Sequence, residues 1–400
     1  MSTQRRCPVA LAAASLIAGM SFAAVARANS FTPGDLVVTR VGTGSAALTP
    51  NAAAVFLDEY TTAGVLVQSI ALPTSSSGAN VALTLTGTNG TTSKFPEGLL
   101  QLSPDGTTLS LAGYNQTPGK AISTSSSTTN RVVATVSASG IVDTTTVINS
   151  GSSLGIVRSA VTDGSKVYIS SDTLGIVETT LGSAGAGTRL STDVNSGRVV
   201  SIYDGQVYLS TRSGLINGIT AVGTGEPVTS GQTDATLAGF GKDFDPYQTS
   251  SRSPYDFVFA NDHTLYIADS YQSPDDGGVQ KWIFDGGRWF KIYTINLSGS
   301  SAFPFQSLTG QYVGDDFVMY GINNAGQLCS ITDTGTGGTS SVSVLASSAM
   351  YTAFRGVEFV PTALPGVAPA PLPSAAASMS TLGLACALLL KQRKRAARVA

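Results

Sequence analysis

One short phrase constrains this chain more than any other: an apolar run, Asp-Gly, and a second apolar run. It is clearest over Val199 to Ser210, with the turn at Asp204-Gly205. Asp-Gly between two strand-like runs predicts a β-hairpin, because the two-residue turn needs positive φ and glycine reaches it without steric cost. Related phrases stand at Ser103-Pro104-Asp105-Gly106, Thr162-Asp163-Gly164 and Asn261-Asp262, and more loosely at Gly314-Asp315. Helical periodicity is nearly absent between Phe31 and Pro361, and the segments are short, β-branched and punctuated by glycine.

The runs around these turns group into four-stranded units. One reads Gly98 to Leu102, Thr107 to Tyr114, Arg131 to Val136 and Ile141 to Ile148. The next reads Gly155 to Thr162, Lys166 to Ser170, Gly175 to Leu181 and Thr188 to Ser191. A third reads Arg198 to Tyr203, Gln206 to Ser210, Leu215 to Val222 and a weak strand near Pro227. Tyr255 to Ala260, Thr264 to Asp269, Gly278 to Phe284 and Trp289 to Ile295 make a fourth. Ser307 to Val313, Phe317 to Ile322, Gln327 to Thr332 and Ser341 to Leu345 make a fifth. The spacing of roughly 40 to 60 residues per unit is that of a propeller blade.

The remainder completes a sixth unit. Phe354 to Phe359 is an orphan strand at the C-terminal end, and Asp35 to Arg40, Ala53 to Glu59 and Val65 to Leu72 are orphans at the N-terminal end. One plus three makes a blade shared by both ends, which closes a ring and leaves no sheet edge open. The fold expected is therefore all-β, a six-bladed β-propeller whose ring is closed by one C-terminal strand and three N-terminal strands. A β-sandwich array is the runner-up, but it does not explain that split.

Composition agrees. Charged residues are 12% of the chain and glycine numbers 44, against about a quarter charged in an average protein. The net charge of −2 provides no basic footprint, which argues against a nucleic-acid partner.

The ends read as address labels. Residues 1–28 form a signal peptide: Arg5 and Arg6, an Ala-rich apolar run from Val9, and Ala26-Arg27-Ala28 as a small-x-small cleavage site. The propeller spans 29–361, and a Pro/Ala linker spans 362–373. Residues 374–390 are an apolar transmembrane or sorting segment of marginal length for a bilayer. Residues 391–400, with Lys391, Arg393, Lys394, Arg395 and Arg398, form a basic tail that stays cytoplasmic. Of the three cysteines, Cys7 lies in the signal and Cys386 in the apolar segment, so Cys329 is expected as a small buried hydrophobe.

The order of linker, Pro369-Ala370-Pro371-Leu372-Pro373, apolar segment and basic end resembles the PEP-CTERM class of bacterial sorting tails, with no Glu between the prolines. The resemblance implies a sorting protease of exosortase type as a partner. The body resembles a group of uncharacterised secreted bacterial β-propeller proteins. That likeness is carried by Phe95-Pro96-Glu97-Gly98-Leu99, Leu109-Ser110-Leu111-Ala112-Gly113-Tyr114, Val279-Gln280-Lys281-Trp282 and the stretch Thr352 to Pro361. It implies an exported address and a fold, and no activity.

Chemistry is sparse. The single histidine, His263, sits in the turn Asn261-Asp262-His263-Thr264, too few for a His-based zinc site. Phosphate-binding glycine loops are missing. Asp275-Asp276-Gly277-Gly278 and Asp243-Phe244-Asp245 lack the alternating oxygen spacing of a calcium loop. No catalytic residue, metal site or cofactor is assigned. Trp282, Trp289, Phe290 and Tyr293 form an aromatic group on one hairpin, for which cross-strand packing is the first reading and a carbohydrate platform the second.

Aligning the first strand of each unit by its distance to the following turn brings Glu97, Arg158, Arg198, Asp256, Gln306 and Arg355 into register. All are polar in a chain poor in charge. They are expected to ring one mouth of the central channel, either as a ligand site for an anionic group or as a mutually paired ring that stitches the blades. The function expected is a non-enzymatic, surface-sorted binding or matrix module, a monomer with a polysaccharide or surface ligand. The alternative is a six-bladed hydrolase or lactonase with its site at the same mouth.

Overall fold

The computed structural model describes residues 29–88, 97–123, 128–149, 154–213, 216–240, 253–271, 277–296, 304–335 and 340–363. The segments expected as signal peptide, apolar segment and basic tail lie outside the described residues, as do residues 241–252 and most of the expected Pro/Ala linker. Among the described residues there is no helix long and apolar enough to cross a membrane.

The described chain is all-β. In order, its strands are β1 (Leu36–Val41), β2 (Ala52–Tyr60), β3 (Leu66–Ala71), β4 (Thr84–Thr86), β5 (Gln101–Leu102), β6 (Thr108–Tyr114), β7 (Arg131–Ser137) and β8 (Val142–Ile148). Then come β9 (Val157–Thr162), β10 (Lys166–Ser171), β11 (Gly175–Thr180), β12 (Ala184–Gly185), β13 (Thr188–Arg189), β14 (Gly197–Tyr203), β15 (Gln206–Ser213), β16 (Ile216–Val222) and β17 (Asp234–Thr236). The last are β18 (Pro254–Asn261), β19 (Thr264–Asp269), β20 (Gly278–Asp285), β21 (Arg288–Ile295), β22 (Phe305–Val313), β23 (Asp316–Asn323), β24 (Gln327–Asp333), β25 (Ser341–Ser347) and β26 (Ala353–Phe359).

These form a propeller arrangement. Four sheets of four strands stand alone: β9–β10–β11–β13, β14–β15–β16–β17, β18–β19–β20–β21 and β22–β23–β24–β25. The fifth sheet has ten strands and holds both β26–β1–β2–β3 and β5–β6–β7–β8. The C-terminal strand therefore pairs with the first three strands, as the one-plus-three split requires. The hairpin phrase is seen at Asp204 and Gly205, whose φ values of 47° and 70° are those of the tight turn that Asp-Gly favours.

The sheets are not six separate bodies, and β4 is the reason. β2 is long enough to pair β3 through its C-terminal half and β4 through Ala52 to Ala54. β4 in turn touches β6 at one register pair, Thr84 and Tyr114. Other differences are local. The outer strand of the third unit is Asp234–Thr236, not a segment near Pro227, and β5 is shorter than Gly98 to Leu102.

Hydrophobic cores lie between neighbouring sheets. Tyr114 and Val133 meet Val167 and Ile169, and Tyr168 and Ile176 meet Val207 and Leu209. Val199 and Ile219 meet Ile267 and Trp282. Val279 meets Met319, Ile322 meets Val357 and Leu36, and Leu57 meets Leu111. The inner strands of each sheet therefore bury both faces, which explains their apolar side chains on both sides. The burial contributes about 1.5–3 kcal/mol for each large aliphatic side chain.

Side-chain to backbone hydrogen bonds stitch the innermost strands into a ring. Ser170 Oγ donates to the Arg198 carbonyl (2.6 Å) and Ser210 Oγ to the Tyr255 carbonyl. Val200 N donates to Ser159 Oγ, Leu308 N to Asp256 Oδ2 and Val357 N to Ser307 Oγ (2.9, 3.0 and 3.0 Å). Gly356 lies so close to the Gly98–Leu100 backbone that a Cβ there would sit 2.7 Å from Gly98 O and from Leu100 N.

Candidate functional site

The N-terminal ends of the innermost strands converge at one mouth of the ring. All six residues expected there are buried, none more than 7% exposed. Arg158 Nη1 donates to Gly197 O (3.3 Å). Arg198 Nη1 donates to Ser253 Oγ and Pro254 O (2.9 and 2.7 Å), and its guanidinium lies 4.6 Å above the Tyr255 ring. Arg355 Nη2 donates to Gly87 O and Thr86 O (3.0 and 3.4 Å). Glu97 accepts from Thr86 N, Thr86 Oγ1 and the Tyr114 hydroxyl (3.0, 2.7 and 2.7 Å).

Tyr255 is the hub. Its hydroxyl has no hydrogen-bond partner among the described residues, and burial pushes its pKa up. Arg158, Arg198, Glu97 and Arg355 all act on it electrostatically, and Arg198 touches its ring. Arg198 and Arg355 have no ion-pair partner among the described residues; Ser253 Oγ and Pro254 O accept from the first, Gly87 O and Thr86 O from the second, and all four are neutral oxygens. Burial lowers Arg198 to about 10 and lowers Arg355 as well, with Glu97 the charge that most opposes the shift at Arg355. Buried guanidinium groups held mainly by carbonyl oxygens keep most of their positive field, because a neutral acceptor satisfies geometry without cancelling charge.

Asp256 does not share this position. The carbonyls of Arg198 and Tyr255 play the same role in neighbouring sheets, so Tyr255 is the counterpart of Arg198. Asp256 is the counterpart of Ser159 and Ser307, since all three accept the amide of the next innermost strand. Counting back from the turn fails here because β18 carries an irregularity between Phe259 and Asn261, which adds a residue and flips the alternation. Tyr255 was missed for that reason.

Asp256 instead meets a side chain from across the ring. Gln101 Nε2 reaches Asp256 Oδ1 at 3.4 Å, although the two residues lie on well-separated sheets of the ring. Beyond this bridge is a cavity of about 150 Å³ lined by Thr309 and Glu358 among others. Burial pushes Asp256 up to about 8, against the pull of the Leu308 and Phe257 amides, and Glu358 up to about 7. The two sides of the bridge therefore differ: guanidinium groups above, carboxyls that burial favours in the neutral form below.

Gln306 and Arg355 line a polar cleft of about 450 Å³ between β22–β25 and β26, together with Thr88, Asn323, Asn324 and Ser348.

The remaining candidates resolve simply. His263 is exposed in its turn with Nδ1 3.3 Å from Phe284 O. Cys329 is buried, and burial pushes its thiol up to about 12. Trp282, Trp289, Phe290 and Tyr293 do not form one platform. Trp282 stacks on Phe240 at 4.2 Å inside the core, Phe290 lies exposed under Arg288, and Tyr293 binds Asp333. The described residues contain no group of three or more His, Cys, Asp or Glu side chains placed to hold a metal ion.

No family model matches the chain, and no curated protein matches it. Solved structures do. A periplasmic gluconolactonase of Pseudomonas aeruginosa aligns at 11% identity and TM-score 0.39, covering 77% of this chain and 82% of that one. A putative 6-phosphogluconolactonase of Bacteroides fragilis aligns at 13% identity and TM-score 0.41, covering 79% and 82%. Apo AztD of Citrobacter koseri aligns at 10% identity and TM-score 0.34, covering 77% and 70%. Likenesses at this level assign no activity to the chain.

Proposed function

We propose that the mouth of the ring binds a small anionic, polyhydroxylated ligand. The observation that carries this is the joint action of Arg158, Arg198 and Arg355 on the buried Tyr255, with Arg198 and Arg355 bonded to neutral oxygens while the charge of Asp269 acts on the first and that of Glu97 on the second. A guanidinium so placed offers a fork of donors to a carboxylate or phosphate. The cleft at Arg355 and Gln306 adds amide and hydroxyl side chains suited to sugar hydroxyls. Counting the two arms of the ten-stranded sheet as separate blades makes the scaffold six-bladed.

A panel of sugar acids (gluconate, glucuronate and galacturonate), phosphate and neutral sugars tests the reading by thermal shift. At least one anion should raise the melting temperature of the wild-type protein and leave Arg355→Gln unmoved. No shift with any anion, or the same shift in the variant, contradicts it.

A second reading keeps the pocket and makes it a lactonase-type hydrolase site, the activity two of the structural neighbours are named for. Within this chain it is favoured by Glu97, a buried carboxylate whose charge acts on Arg355. Acid release from glucono-1,5-lactone above the spontaneous rate, lost in Glu97→Gln, would establish it. The same proposal places the domain outside the cytoplasm, exported by residues 1–28 and held or sorted by residues 374–400. Mass spectrometry of the mature C-terminus tests the tail: an intact Lys391 to Ala400 would rule out its removal by an exosortase-type protease.

A further inference from the structure

The face opposite the mouth, where the turns at Asp204 and Asp262 lie, carries a cavity of about 400 Å³ between β14–β15 and β18–β21. Its walls are aromatic. Tyr203 stacks on Phe259 with centroids 4.5 Å apart at 19°, and Tyr208 meets the same ring at 4.9 Å and 49°. Trp289 stands 6.0 Å from Phe259 at 64° and 5.4 Å from Phe284 at 53°. Inclined rings enclose the space on several sides, and Tyr203 and Phe259 cover each other's faces. This is the shape of a box, not the flat exposed face on which a pyranose ring stacks.

The field in the box is negative. Asp204 and Asp262 line it with exposed side chains. Asp262 accepts the Tyr203 hydroxyl at 2.9 Å, and Asp204 has no hydrogen-bond or ion-pair partner among the described residues. The ionisable groups acting on Tyr203 and Tyr208 are Asp204 and Asp262 for both, with Tyr208 acting on Tyr203; no cation is among them. Aromatic faces attract a cation through their quadrupole, and carboxylates at the rim add attraction without needing a fixed bond direction.

We propose that this box is a second site, separate from the mouth, that takes an organic ammonium group, most simply a methylated one. It rests on different residues from the anion site and stands or falls independently of it. A ligand carrying both charges would not reach both sites, since they lie on opposite faces.

The probe is choline, compared with 3,3-dimethyl-1-butanol, its neutral isostere, and with methyl β-glucoside. Binding is read by calorimetry and by tryptophan fluorescence, which reports on Trp282 and Trp289 alone. Choline should bind saturably and the neutral isostere about tenfold or more weaker. The charge test is Asp204→Asn with Asp262→Asn. Asn tolerates the left-handed backbone that Asp204 adopts at φ 47°, so the double variant should melt like the wild type and lose affinity about tenfold. Tyr203→Leu removes one wall and should lose binding too. Equal affinity for the neutral isostere, binding of the glucoside in place of choline, or undiminished binding in the double Asn variant would each overturn the proposal.

Discussion

Two regions of the protein hold positive charge away from solvent and treat it in opposite ways. Between β20 and β24, Lys281 Nζ sits 2.8 Å from Asp333 Oδ2, and the hydroxyls of Tyr266 and Tyr293 both donate to the same carboxylate at 2.5 Å. These contacts hold Asp333 well below the usual carboxylate range, and they tie one sheet to the next. At the channel mouth, Arg198 and Arg355 receive carbonyl and hydroxyl oxygens and no paired carboxylate. The first arrangement cancels its own charge and has no need of a ligand. The second satisfies its hydrogen bonds and leaves a positive field directed at Tyr255. That difference separates a structural latch from a binding site.

The comparison presupposes a rigid ring beneath the mouth, and the harshest way to break it is Gly356→Ala. The new methyl would meet Gly98 O, Leu100 N and Leu99 Cα within 2.9 Å, all backbone. We expect a loss of about 3 kcal/mol or more in urea denaturation, together with ligand binding at the mouth.

Breaking the latch comes next. Asp333→Asn leaves Lys281 partly buried beside two tyrosines, and should cost about 2–3 kcal/mol with no change in the anion response of the mouth. A variant that lost both would make the two regions one unit.

The carboxyls also sharpen the contrast through pH. Asp333 is depressed in the folded state, so its stabilisation is complete above about pH 4 and is lost as pH falls. Asp256 and Glu358 are raised, to about 8 and about 7, so their contribution is complete below about pH 4 and declines as pH rises towards those values. Denaturation at pH 5 and pH 8.5 should find the protein less stable at the higher pH. Glu358→Gln should make that decline shallower.

The smallest effect belongs to the exposed pairs of Lys166 with Asp163 (3.0 Å) and Glu226 (3.2 Å), where the lysine side chain is 31% exposed. Lys166→Met should cost under about 0.5 kcal/mol, because solvent screens such pairs.

Much of the architecture was legible because hairpin turns and strand alternation are local. The split of one C-terminal and three N-terminal strands could be counted from the chain alone, and β26–β1–β2–β3 carries it out. β4 was not legible, since three residues pairing part of a long strand leave no periodic signal. At the start of the inner strands, the polar residues Glu97, Arg158, Arg198, Gln306 and Arg355 are all buried. The extra residue in β18 put Asp256 where Tyr255 belongs, and an irregularity of that kind is set by pairing, not by composition. The aromatic box was invisible for a different reason. Tyr203 and Phe259 are far apart in sequence, and only the packing of neighbouring sheets brings their rings together.

On this reading the mouth guanidinium groups serve a ligand and not the fold. Arg355→Met and Arg198→Met, measured by chemical denaturation with and without the best anion from the panel, test it most directly. Stability within about 1 kcal/mol of the wild type, with the anion-induced stabilisation gone, is the predicted result. A loss of about 3 kcal/mol or more in either variant, with no anion response in the wild type, would show the ring to be a stitch between blades and contradict the account.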